Sequence, residues 1–184
     1  MADDLTVAIP NTELEARARR VRLLLLDVDG VLTDGRILLD DRGGEAKAFS
    51  IRDGAAIVWA RREGIEVGFL SGRPSGATTR RATELGVTLV VQVGPDKRQA
   101  FANLLTTAGV QGDEVAYMGD DLMDLPVLAK VGLAASPADA AAEVQARVHW
   151  VSGAPGGHGA VRELIEVLLK ARGRWDAFVD EQTA

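Results

Sequence analysis

The sequence predicts an α/β fold in which a parallel sheet carries helices on both faces, and three observations lead to it. Residues 23–26 are four consecutive leucines, a run without a polar side, as expected of a strand buried on both faces in the middle of such a sheet. Further short apolar runs recur along the chain, separated by helix-patterned stretches of about 8 to 15 residues, which is the strand and helix alternation of a parallel sheet. The 184 residues are 47% hydrophobic and 26% charged, with 20 glycines. That is the composition of one soluble globular domain with a single well-buried core.

Taken in order, residues 1–10 read as a loose leader, and Asn11 or Thr12 caps a short helix ending near Arg19. The first strand, 23–27, follows. After Thr33 the pattern becomes a hairpin spanning 35–49, with strands at 36–39 and 45–49 joined by a turn through Asp40, Asp41, Arg42, Gly43 and Gly44. Asp53 precedes a helix that Gly64 closes. The second core strand, 65–70, ends in Ser71-Gly72-Arg73-Pro74. A helix over 78–85 stops at Gly86, and 88–93 is the third strand. Gly94-Pro95-Asp96-Lys97 opens a helix that ends at Gly109. The fourth strand, 115–118, runs into Gly119-Asp120-Asp121 and a helix over 122–130. Strand 132–135, an alanine-rich helix over 136–146 and a last strand at 148–151 complete the sheet. The glycine-rich stretch 153–159 leads into a helix over 160–171, and the tail, 172–184, is polar apart from Trp175, Phe178 and Val179. The expected organisation is thus a leader and short helix over 1–20, one Rossmann-like domain over 21–171 with a small hairpin where a cap domain could have been inserted, and a tail.

Several classes of function are excluded. A net charge of -6 argues against a general nucleic-acid surface, and the arginines at 17, 19, 20 and 22 are interleaved with Glu13 and Glu15 as on a solvated helix face. The absence of cysteine rules out disulfides, thiolate catalysis and cysteine-bound zinc. No apolar stretch approaches the ~20 residues needed to span a bilayer. The N-terminus lacks the charged-then-apolar order of a secretion signal. A cytoplasmic location is expected.

Ligands of such sheets bind beyond the carboxyl ends of the strands, and the reactive residues fall there. Asp27 and Asp29, two apart on extended backbone, point the same way. Taken alone, the pair fits two roles equally: capping the turn before Val31, or holding a cation or shared proton between them. Ser71, Lys97 and Asp120 follow other strands and converge on the same edge. Together they match phosphoryl transfer. Asp27 attacks phosphorus to form an aspartyl-phosphate. Asp29 protonates the leaving oxygen and then accepts a proton from water. Mg2+ suits the all-oxygen site to which Asp120 adds a carboxylate. Lys97 offsets negative charge, while Ser71 and the Gly72 turn hold the phosphate. Arg73 can read a substrate carboxylate through its guanidinium fork, or pair with Glu84. Arg162 is a second candidate for substrate binding, and a surface helix position explains it as well. His149 reads as structural, and Trp59 and Trp150 as core residues. Trp175 and Phe178 are available to anchor the tail on another subunit.

The segments DVDGVLTDG, SGR, PDK and GDDLMD, in that order, resemble the four motifs of the haloacid dehalogenase superfamily of phosphatases, over most of the chain from Val21 to about Leu169. The hairpin and GGHGAVRE resemble the small, capless branch that hydrolyses 3-deoxy-D-manno-octulosonate 8-phosphate, which places the activity in lipopolysaccharide biosynthesis. The resemblance implies Asp27 as nucleophile and Asp29 as acid/base. It implies Mg2+ held by Asp27, the Asp29 carbonyl and Asp120, with phosphate contacts from Ser71 and Lys97, and with Asp121 and Asp124 supporting the metal site. Only 41 residues separate Asp29 from Ser71, too few for a lid domain beside the hairpin and one helix. A neighbouring subunit is therefore expected to supply the missing wall. The resemblance agrees, implying a homotetramer formed through the hairpin. Two alternatives stand beside this reading: a phosphatase for a sialic-acid-like 9-phosphate or another small sugar phosphate, and a phospho-accepting signalling domain. Asp29 favours turnover over the second, and no motif residue is missing as it would be in an inactive relative.

Overall fold

The computed structural model describes residues 11–94 and 96–181. The expected leader, Pro95 of the helix-opening motif and the last three residues of the tail lie outside them. Helix α1 (Asn11–Arg20) leads into β1 (Leu23–Leu26). The hairpin strands β2 (Leu38–Leu39) and β3 (Glu45–Ala46) come next, then α2 (Ile51–Arg62), β4 (Glu66–Ser71), α3 (Gly76–Leu85), β5 (Leu89–Gln92) and α4 (Arg98–Ala108). The second half comprises β6 (Val115–Met118), α5 (Leu125–Leu128), β7 (Leu133–Ser136), α6 (Ala142–Gln145), β8 (Trp150–Val151), α7 (Ala160–Ala171) and α8 (Trp175–Glu181). Six strands form one parallel sheet in the order β5-β4-β1-β6-β7-β8, and β2 and β3 pair antiparallel apart from it.

The four leucines of β1 show why the sheet sits in the middle. All four are fully buried, but they serve two cores. Leu24 and Leu26 pack with residues of α2, α3 and α7 on one face, and Leu23 and Leu25 with α4 and Tyr117 on the other. Each such leucine contributes about 2 kcal/mol of transfer free energy. A polar residue anywhere in the run would face apolar neighbours, since neither side of this strand reaches water. Strand β1 pairs with β4 on one side and β6 on the other. The strand order therefore reverses at β1, where an open parallel sheet leaves a crevice at its carboxyl edge.

Two differences from the sequence reading have local causes. The alanine-rich stretch after Pro137 becomes helical only at α6, because its backbone groups are used elsewhere. Ala138 N–H bonds Ala154 O at 3.0 Å, and Ala141 N–H bonds Asp120 O at 2.9 Å. The expected helix over 122–130 is a 3-10 turn, Leu122–Asp124, followed by the four-residue α5. Asp124 gives its carboxylate to the N–H groups of Asp120 and Asp121, tightening the turn.

The tail is also more ordered than its polarity suggested. Helix α8 lays Trp175 and Phe178 on Trp59 of the same chain, with Phe178 and Trp59 centroids 4.9 Å apart. The rings that the sequence left available to another subunit thus have an apolar partner within the domain. Phe178→Ala should lower stability by about 3 kcal/mol, typical of a buried phenylalanine lost to a cavity, measurable as a lower urea midpoint. An unchanged midpoint would mean that α8 is not docked.

Candidate active site

A cleft of about 340 Å3 opens at the carboxyl edge of the sheet, walled by Asp27, Asp29, Ser71, Arg73, Asp120 and Met123 among others. Its floor is a charge cluster at the end of β1. Asp27 continues the strand, its N–H bonded to Met118 O at 3.0 Å. Lys97, the residue before α4, is buried with its Nζ 2.8 Å from Asp27 Oδ1 and 2.7 Å from Asp124 Oδ1. It also donates to the Tyr117 hydroxyl at 3.1 Å, and that hydroxyl donates to Asp124 Oδ1 at 2.5 Å. Asp124 is thus engaged on both oxygens, Oδ2 by two backbone N–H groups.

Three carboxylates share one lysine, so charge is left over. Burial first, then Asp124, raise the Asp27 carboxyl from 3.8 to about 6, with Lys97 opposing. Burial, then Asp27 and Asp124, push Asp120 from 3.8 to about 8. Burial by itself would lower the Lys97 ammonium, but Asp27 and Asp124 outweigh it and raise the group. Oxygens of Asp27, Asp120 and Asp124 lie within 4.8 Å of one another. Hard oxygen donors carrying excess negative charge fit Mg2+. Because Asp124 is already committed, Asp27 and Asp120 are the carboxylates free to bind it. Gly30 permits this packing: its φ is +87°, and a Cβ there would lie 2.1 Å from Asp120 Oδ2. Any side chain would displace the carboxylate.

The remaining sequence candidates fall into two groups. Ser71 and Gly72 line the cleft, and the Ser71 hydroxyl, which donates to Arg73 O and accepts from Arg73 N–H, shapes that turn. Asp121 caps the 3-10 turn by accepting from Leu122 N–H at 2.7 Å. Arg73 reaches the cleft, but pairs with Glu45 of the hairpin and not with Glu84, whose partners are Arg80 and Arg81. Arg162, the second substrate candidate, is not among the residues lining the cleft. Its guanidinium bonds Glu166 at 2.5 Å and lies 4.2 Å from the Trp59 ring centroid, since the outward face of α7 turns it toward α2 and α8. His149 Nδ1 accepts Ala134 N–H at 2.9 Å, and burial lowers its pKa, in keeping with a structural role.

Four residues escaped sequence reasoning. Lys47 and Glu45 lie in a hairpin whose pattern shows only alternation, and Tyr117 lies inside an apolar strand with no local signal of its own. Asp53 reads locally as a cap for its own helix. Ser50 caps that helix instead, and the buried Asp53 carboxylate accepts the N–H groups of Gly159 and Arg162 at the start of α7. That contact fixes the stretch 153–159 against the turn after Asp29. Gly157 N–H bonds Val31 O at 2.9 Å, and a Cβ at Gly156 would meet Gly30 O at 1.9 Å.

No family model matches the chain. It is 43% identical over 166 residues to the 3-deoxy-D-manno-octulosonate 8-phosphate phosphatase KdsC of Escherichia coli, covering 90% of this chain and 88% of that one. The crystal structure of the phosphatase of that name from Yersinia pestis superposes with a TM-score of 0.87 at 41% identity, covering 89% of each chain. The Moraxella catarrhalis phosphatase, crystallised with magnesium ion, phosphate ion and a KDO molecule, gives a TM-score of 0.90 at 35% identity, over 92% of this chain and 98% of that one.

The electrostatics predict a pH signature. Asp27 and Asp120 hold their protons more tightly folded than unfolded, so without metal they favour the fold below pH 3.8 and progressively oppose it as pH rises through about 6 and about 8. In chelator, the melting temperature should fall between pH 5 and 8.5. Added Mg2+ should raise it, and more at pH 8 than at pH 6. Equal increments at both pH values would contradict the assignment.

Proposed function

The chain belongs to the 3-deoxy-D-manno-octulosonate 8-phosphate phosphatases of the haloacid dehalogenase superfamily, and from that premise we propose that it uses Mg2+ to hydrolyse this sugar-acid phosphate through an aspartyl-phosphate on Asp27. It is a phosphoric monoester hydrolase. The observation that carries the mechanism is the pairing of Asp27 with buried Lys97 at a cleft that also holds Asp29, Ser71 and Asp120. Lys97 keeps Asp27 Oδ1, which leaves Oδ2 for phosphorus. As the bond to the sugar oxygen breaks, Asp29 supplies its proton, and Asp29 then takes one from the water that releases phosphate. Ser71 and the backbone of the Gly72 turn hold the phosphoryl oxygens. Asp27, the Asp29 carbonyl and Asp120 would hold Mg2+, with Asp121 and Asp124 setting the loop beneath it, and the bound ion would supply positive charge against the negative phosphoryl oxygens. Arg73, carried on Ser71's turn, reads the substrate carboxylate.

Residues 21–171 form the catalytic domain in this reading, and the enzyme works in the cytoplasm. Among the described residues no helix is long and apolar enough to cross a membrane. Assembly is a homotetramer through the hairpin. In support, Ile37, Leu38 and Leu39 are 43%, 60% and 74% exposed, and a hairpin of two short strands gains stability from a partner surface.

Asp27→Asn should fold normally and lose about 10⁴-fold or more in turnover. Across a panel of sugar phosphates the wild type should select the octulosonate 8-phosphate, and preference for a neutral sugar phosphate would overturn the substrate assignment. Light scattering should give the mass of four chains, and Leu39→Glu should shift it to smaller species with reduced activity. A fully active wild-type monomer would end the assembly proposal.

A further inference from the structure

Two of the cleft's aspartates, Asp27 and Asp29, each meet a buried lysine. Lys97 serves Asp27, and the second lysine comes from the hairpin. Lys47, one residue beyond β3, has a side chain with no exposed surface, and its Nζ lies 2.5 Å from Asp29 Oδ1. Lys47 is the side-chain partner of Asp29 among the described residues. Its other neighbour is Glu45 Oε1 at 3.9 Å, and Glu45 is fixed in turn by the Ser75 hydroxyl at 2.7 Å and by Arg73. The chain of contacts Asp29, Lys47, Glu45, Arg73 runs from the reacting centre through the hairpin to the turn after β4. Asp29 walls the cleft while Lys47 does not, so the ammonium holds the carboxylate from behind.

Pinning a hairpin does not require this arrangement. Burying an ammonium costs several kcal/mol in desolvation, and an apolar side chain of similar volume often stabilises as well as a buried ion pair does. We propose that Lys47 is the positioning residue of the acid/base: it occupies Asp29 Oδ1 throughout turnover, so that the travelling proton is carried on Oδ2. This rests on the phosphatase reading above. In the first step Asp27 bonds to phosphorus, the bond from phosphorus to the sugar oxygen breaks, and the proton on Asp29 Oδ2 passes to that oxygen to give the free alcohol. In the second, water bonds to phosphorus, its proton returns to Oδ2, and phosphate leaves Asp27 as a free carboxylate.

A positioned acid matters only where the leaving oxygen needs a proton. The test compares kcat/KM for octulosonate 8-phosphate, whose leaving group is an alkoxide, with that for 4-nitrophenyl phosphate, whose phenolate leaves unaided. Lys47→Met should lose about 10²-fold on the sugar phosphate, as for an acid displaced by about 1 Å, and less than about threefold on the nitrophenyl ester. Lys47→Arg should recover most of the loss. Equal losses on both substrates, or no loss on either, would overturn the proposal in favour of a purely structural lysine. Should Lys47→Met fail to fold, Lys47→Ala, which removes the contact to Asp29 without introducing a donor, gives the same ratio. If the wild type does not turn over octulosonate 8-phosphate, the substrate reading has failed, and the Lys47 ratio is then measured on whichever alkyl phosphate the enzyme does accept.

Discussion

The structure is organised around the contact of the Lys97 ammonium with Asp27 and Asp124 at the end of the central strand. A lysine with almost no exposure is tolerable only where carboxylates match its charge. Burial, and then carboxylates in excess of what one lysine neutralises, leave Asp27 and Asp120 with raised pKa values. The imbalance is the chemical asset of the site. It prepares a position for a divalent cation, and in the proposed mechanism it keeps the Asp27 carboxylate out of bulk water.

Backbone packing gives the cluster its stiffness. The turn after β1 lies between Asp120 on one side and the stretch 153–159 on the other, and at both Gly30 and Gly156 a side chain would collide with its neighbour. Asp53, from a helix distant in sequence, secures the start of α7 and so the position of that stretch. Its carboxyl is raised by burial, an effect that the two backbone N–H groups partly offset. Three segments far apart in sequence are thereby locked against the loop that carries Asp29.

The hairpin connects this rigid floor to the open side of the cleft. Its outer surface is apolar and exposed, while Lys47 and Glu45 reach inward to Asp29 and Arg73. One small insertion therefore carries an exposed apolar surface on one side, the face proposed above for assembly, and charge contacts to the site on the other. Such economy suits a chain with no room for a separate lid.

Much of this was legible in the sequence, because the signals were local. Four leucines without a polar face require burial on both sides, which makes β1 central, and residues just past strand ends in a parallel sheet share one edge. The positions of Asp27, Asp29, Ser71, Lys97 and Asp120 follow from those two facts. Only the tertiary structure decided which charges pair. Arg73 meets Glu45 and not Glu84, Arg162 turns to Trp59 and Glu166, Trp175 and Phe178 close on their own domain, and Lys47 reaches Asp29. Such choices depend on distances between segments that sequence spacing does not encode. A long side chain on a helix or hairpin can reach several partners, and packing selects among them.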